Sequence, residues 1–173
     1  MSKSKKPRPN AKGKKVPSGL RSTPIRAGLK PSSVLRAHVA DGLGAIAKSH
    51  RGLIAHELKP QLSDSLEIDE NLKKGHENEH RWDYLLGHGP SQTFVGLEPH
   101  SASNHEITVV IKKRQNALEA LRRHLTEGSK VAHWFWVASG KVDFVPVERQ
   151  MLRCAQNGIE FVGRALRPGH FGT

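Results

Sequence analysis

EITVVIKKRQNALEALRRHL, residues 106 to 125, decides the fold. Its first six residues are rich in β-branched side chains and read locally as a strand. A longer window favours a helix. Ile107, Val110, Ile111, Leu118, Leu121 and Leu125 form one stripe at helical period. Ser103 and Glu106 stand three apart in front of it, the spacing of a capping box. These features predict a helix over about residues 104 to 125.

Upstream, in RWDYLLG at residues 81 to 87, Trp82, Tyr84 and Leu86 alternate with Arg81, Asp83 and Leu85, a strand pattern. GHGPS, residues 87 to 91, is a turn, and Thr93 to about Glu98 is a second strand. So short a link makes the pair an antiparallel hairpin. Downstream, VAHWFWVAS at residues 131 to 139 has the length and apolarity of a buried strand, with Trp134 and Trp136 on one face and Phe135 on the other. Pro146 suits the first turn of another helix, with Val147, Met151, Leu152 and Ala155 as its apolar side and Asn157-Gly158 as its cap. IEFVGRAL, residues 159 to 166, closes as a strand. Before the hairpin, Leu35, Val39, Leu43, Ile46 and Ala47 give residues 32 to 48 helical spacing, and residues 65 to 75 suggest a short helix ending at Gly75. The expected fold class is α/β, with a mixed central sheet in which the antiparallel hairpin is followed by α-β-α-β crossovers.

Charge divides the chain. Residues 1 to 30 contain ten Lys and Arg residues and no acid, which is +10 of the formal net charge of +12. Lys5, Lys6, Arg8, Lys12, Lys14 and Lys15 form its densest part. Rich in Pro, Gly and Ser, this segment has too little apolar surface to offset the entropy of ordering. It is expected to be a disordered basic tail, residues 1 to 31, ahead of a single domain over residues 32 to 173. Counterion release would attract such a tail to nucleic acid without reading base sequence.

The single cysteine, Cys154, excludes an internal disulfide and fits a reducing compartment. No apolar run approaches the ~18 residues of a membrane helix, and no apolar segment follows the basic start as in a signal peptide. The expectation is a cytoplasmic protein.

The candidate site lies on the hairpin. Glu98 and His100 are two apart in a strand and so point the same way, while Asp83 lies on the neighbouring strand. Two carboxylates from adjacent strands can hold Mg²⁺, which wants oxygen ligands and keeps waters for chemistry. Polar surface, or a structural hydrogen-bond network, is the plainer explanation of the same three residues. Asp, a gap, then Glu-x-His on a hairpin followed by helix, strand, helix and strand resembles the Asp…Glu-x-Lys pattern of the restriction-endonuclease-like nuclease superfamily, over about residues 65 to 166. The resemblance implies that Asp83 and Glu98 hold the metal and that His100 stands where the catalytic lysine belongs. It also implies that Lys112 or Lys113, on the following helix, supplies that lysine. Pro99 departs from the pattern, since it removes a ladder donor. The layout RWDYLLG…EPHSA…WFWVASG is also similar to an uncharacterised group of bacterial proteins.

Other residues carry weaker signals. His76 and His80 have zinc-ligand spacing only if that stretch is helical. Arg114 falls in the middle of the apolar stripe, so it either reaches inward to a carboxylate or keeps its head in water. Lys112, Lys113, Arg122 and Arg123 make a partly basic flank. No aligned base activates Cys154, and no Gly-rich phosphate loop or dinucleotide fingerprint is present. Three functions fit: a Mg²⁺-dependent phosphodiesterase, a non-catalytic nucleic-acid binder on the same fold, and an adaptor for a protein partner.

Overall fold

The computed structural model describes residues 22–75, 77–142 and 148–172. Among them are three helices and one mixed six-stranded sheet. Helix α1 (Pro24–Gly28) comes first, then strands β1 (Ala40–Asp41), β2 (Leu62–Glu67), β3 (Tyr84–His88) and β4 (Thr93–Ala102). Helix α2 (Glu106–Arg122), strand β5 (Trp134–Val142), helix α3 (Glu148–Gln156) and strand β6 (Glu160–Phe161) complete it. Strands lie side by side in chain order: β1 to β4 are antiparallel, and β4–β5 and β5–β6 are parallel. Parallel neighbours need a crossover, and α2 and α3 supply the two.

The sheet is buried on both faces. One face carries Leu66, Leu85, Phe94, Trp134 and Trp136 against Ile25 and Leu29 near α1, the stripe of α2, and Cys154 of α3. The other carries Leu62, Tyr84, Val95, Leu97, Phe135 and Val137 against Ile46, Ile54 and Leu58 and the C-terminal Leu166. The expected split of Trp134 and Trp136 from Phe135 across the sheet is therefore observed. No helix among the described residues is long and apolar enough to cross a membrane.

Several local expectations change. The folded chain begins before residue 32, where composition places its start: Ile25 and Leu29 are 1% exposed. The cause is Asp64 of β2, fully buried, whose carboxylate accepts from the Ile25 and Arg26 N–H groups at 3.1 and 3.2 Å. It satisfies N–H groups that the first turn of α1 leaves unpaired. Gly87 opposite makes room, because a Cβ there would overlap Asp64 Oδ1. Residues 32 to 48 are not one helix but a 3-10 turn at Val34–His38, followed by β1 and turns. The helix expected over 65 to 75 is instead the end of β2 and a run of turns. Strand β2 hides its period because a buried carboxylate interrupts its apolar alternation. The closing strand is only two residues long. Gly158, at φ +65°, ends α3 as expected, with the Ile159 N–H donating to the Cys154 carbonyl. Pro146, His76 and the tail cations Lys5, Lys6, Arg8, Lys12, Lys14 and Lys15 lie outside the described residues.

Candidate active site

The register Tyr84↔Leu97 sets Asp83, one residue before β3, across from Glu98. The two strands stop pairing there. Pro99 is the next residue of β4, and it has no β3 partner opposite whose carbonyl would need its missing N–H. Glu98 replaces the ladder with its side chain: Oε2 accepts from the Asp83 N–H at 3.0 Å. The Asp83 carbonyl accepts from the Ile68 N–H at 2.8 Å on the β2 side. The backbone of Asp83 is thus fixed from both neighbours.

Asp83 and Glu98 occupy the sheet face that α2 covers, and α2 delivers a cation to them. Lys113 Nζ lies 3.3 Å from Asp83 Oδ1 and makes a very short contact with Glu98 Oε1. The two carboxylates therefore converge on one point, and an ammonium stands there. Helical phase accounts for the choice between the two lysines. Lys113 follows the buried Val110 by three residues, on the flank of the stripe, while Lys112 faces away and is exposed. The site is graded from inside to outside. Glu98 is 0% exposed at its base, and Lys113 and Asp83 are 14% and 20% exposed above it.

Electrostatics follow from that gradient. Burial holds the Glu98 carboxyl well above its ordinary value, Asp83 adds to this, and Lys113 and the Asp83 N–H oppose it. Burial would lower the Lys113 ammonium, but Glu98 and Asp83 outweigh it, so Lys113 holds its proton above the usual lysine value. The three groups form one coupled unit in which the ammonium is what makes an ionised Glu98 tolerable.

His100 borders this unit without joining it directly. Its Nε2 lies 2.7 Å from Glu106 Oε2, which makes Nε2 the protonated nitrogen, and its Nδ1 is 3.6 Å from Glu98 Oε1. Glu106 does not complete the expected capping box. Its carboxylate goes to His100, the N-cap position is His105 with no side-chain cap, and Ser103 contributes only its carbonyl to the Glu106 N–H. Glu106 is the site residue that the motif alone does not reveal. The signal for it is phase, since Glu106 and Lys113 are two helical turns apart on one side of α2.

The remaining candidates settle simply. Cys154 is 1% exposed and burial raises its thiol, as expected of an inert cysteine. Arg114 does not reach inward to a carboxylate: its guanidinium lies 5.6 Å from the Trp134 ring, at the wall of an open cavity. Among the described residues no group of three or more His, Cys, Asp or Glu is placed to hold a metal ion. The chain matches no protein-family model, no curated protein and no solved structure at a significant level.

Proposed function

We propose that this chain is a divergent metal-dependent nuclease of restriction-endonuclease-like architecture that hydrolyses phosphodiester bonds, with its basic N-terminal segment adding sequence-independent affinity for nucleic acid. The observation that carries this reading is the meeting of Asp83, Glu98 and Lys113 at one point, from two strands and the helix that follows them. The order of elements around the point also supports it: antiparallel β2, β3 and β4, then α2, then β5 parallel to β4.

The donor set suits Mg²⁺ better than zinc. A structural zinc takes four N or S ligands, whereas Mg²⁺ is usually bound by one or two carboxylates with waters and substrate phosphate making up the rest. Asp83 and Glu98 would hold it, and it would supply Lewis acidity to the scissile phosphate. The chain's own groups do the remaining work. Pairing with β2 and the Glu98 cap hold Asp83 rigid. Lys113 presents a fixed positive charge beside the carboxylates, where the negative charge of a phosphodiester transition state would be stabilised. His100, held by Glu106, lies beside Glu98 and would position phosphate or water.

A second reading rests on one specific observation. Both oxygens of Glu98 are already engaged, by Lys113 and by the Asp83 N–H. A closed network of this kind also suits a nuclease-like domain that only binds nucleic acid. Cleavage of single- and double-stranded DNA and RNA with Mg²⁺ or Mn²⁺, by the wild type beside Asp83→Ala and Glu98→Ala, separates the two. Activity lost in both variants supports the enzyme; equal background in all three ends that reading.

A further inference from the structure

A second cationic feature lies on α2, away from the carboxylates. Arg114 projects from α2 into an open cavity of about 560 Å³ that neither Asp83 nor Glu98 lines. Leu118, Leu121, Leu125, Val131 and Trp134 give it an apolar wall. The guanidinium lies over Trp134, 5.6 Å from the ring centroid, and its buried Nε has no hydrogen-bond partner. It forms no ion pair with a described residue. A second cavity of about 300 Å³ adjoins it on the Gly158 side and shares Arg114, Val131 and Trp134.

A buried N–H without an acceptor is unfavourable, as at Arg114 Nε, and stacking on an aromatic ring recovers only part of the cost. The planar fork of donors matches the two oxygens of a carboxylate or phosphate. Around the mouth stand Lys30, Arg122 and Lys130 against one acid, Glu127. Lys30 Nζ donates to the Arg123 carbonyl, and Arg122 is offset by Glu119 on the same helix, which leaves Lys30, Lys130 and Arg114 against Glu127. This excess of positive charge disfavours the chain's own N-terminal segment as occupant, because that segment is itself basic. The volume is in the range of small-molecule sites.

We infer that this cavity binds a small organic anion: an oxyanion head on the Arg114 guanidinium, with an apolar body against Leu118, Leu121 and Trp134. The site is independent of the carboxylate pair and stands whether or not the chain cleaves nucleic acid.

The test uses the full chain and anilinonaphthalene sulfonate as fluorescent probe, with decanoate and adenosine monophosphate as competitors at fixed ionic strength. Arg114→Gln removes the counter-charge, and Leu118→Trp fills the space while keeping the arginine. The expected result is saturable binding by the wild type and by Asp83→Ala, weakened about tenfold or more in both cavity variants, as for loss of a charged hydrogen bond. Displacement by decanoate assigns a carboxylate ligand, and displacement by adenosine monophosphate a phosphate one. Binding of all three probes weaker than ~1 mM, or binding that neither cavity variant changes, overturns the proposal. If Arg114→Gln does not fold, Leu118→Trp alone decides.

Discussion

Lys113 and Asp83, thirty residues apart in the chain, meet with Nζ 3.3 Å from Oδ1, and the same ammonium touches Glu98 on the next strand. A buried carboxylate beside a second carboxylate is unstable when ionised unless a cation is fixed nearby. Here α2 fixes it.

Lys113→Met should therefore give a pH-dependent loss of stability. Without the ammonium, the Glu98 pKa rises further above its unfolded value. The folded state then keeps a proton that the unfolded state releases, so stability falls as pH climbs from the ordinary carboxylate value through the raised one. The expected loss relative to wild type is small near pH 4 and about 3 kcal/mol at pH 8, the scale for breaking a buried pair. Urea unfolding across that range measures it. Glu67 is common to both proteins, so the difference reads the unit that Lys113 forms with Glu98 and Asp83. A loss that is constant, or larger in acid, would contradict the coupling.

Docking of α1 should depend on Asp64 and on the space beside it. Asp64→Ala leaves the buried Ile25 N–H and the half-buried Arg26 N–H without an acceptor and should cost about 2 kcal/mol. Gly87→Ala should act in the same direction by displacing that carboxylate. Hydrogen exchange should localise both losses to residues 22 to 29; unchanged protection there would show that α1 is held by apolar contacts alone.

Cys154 should resist a thiol reagent in the native protein and react only on unfolding, because its burial both shields the thiol and raises its pKa. Labelling rates in increasing urea should follow the unfolding transition. Stoichiometric labelling within seconds in native buffer would refute the assignment.

Nucleic-acid affinity should reside largely in residues 1 to 21, which hold eight Lys and Arg residues and no acid. Deleting them leaves α1 intact, should weaken binding, and should flatten its dependence on salt. An unchanged salt slope would move the binding surface to the folded body.

Much of this architecture is legible in the residues. The stripe from Ile107 to Leu121 outweighs the β-branched opening of α2 because packing of one face, not local propensity, decides a helix of that length. The hairpin, the buried β5 and the cap at Gly158 follow from equally local patterns. Strand β2 does not, because Asp64 stands in its buried part and interrupts the apolar alternation; the reason for that carboxylate is α1, 38 residues upstream. The placing of Lys113 rather than Lys112 is legible in principle, since helical phase puts Lys113 beside the stripe and Lys112 opposite it. The bond between Glu106 and His100 is not, because the same glutamate also fits a capping box and only the turn after β4 decides between them.

The most direct test is the rate of Mg²⁺- or Mn²⁺-dependent phosphodiester cleavage by wild type, Lys112→Ala and Lys113→Ala, with Asp83→Ala as the blank. Removing a fixed charge that stabilises the transition state should lower the rate about 10²-fold or more in Lys113→Ala, while Lys112→Ala stays within about twofold of wild type. Equal rates in all four proteins, or a loss confined to Lys112→Ala, would contradict a site built from Asp83, Glu98 and Lys113.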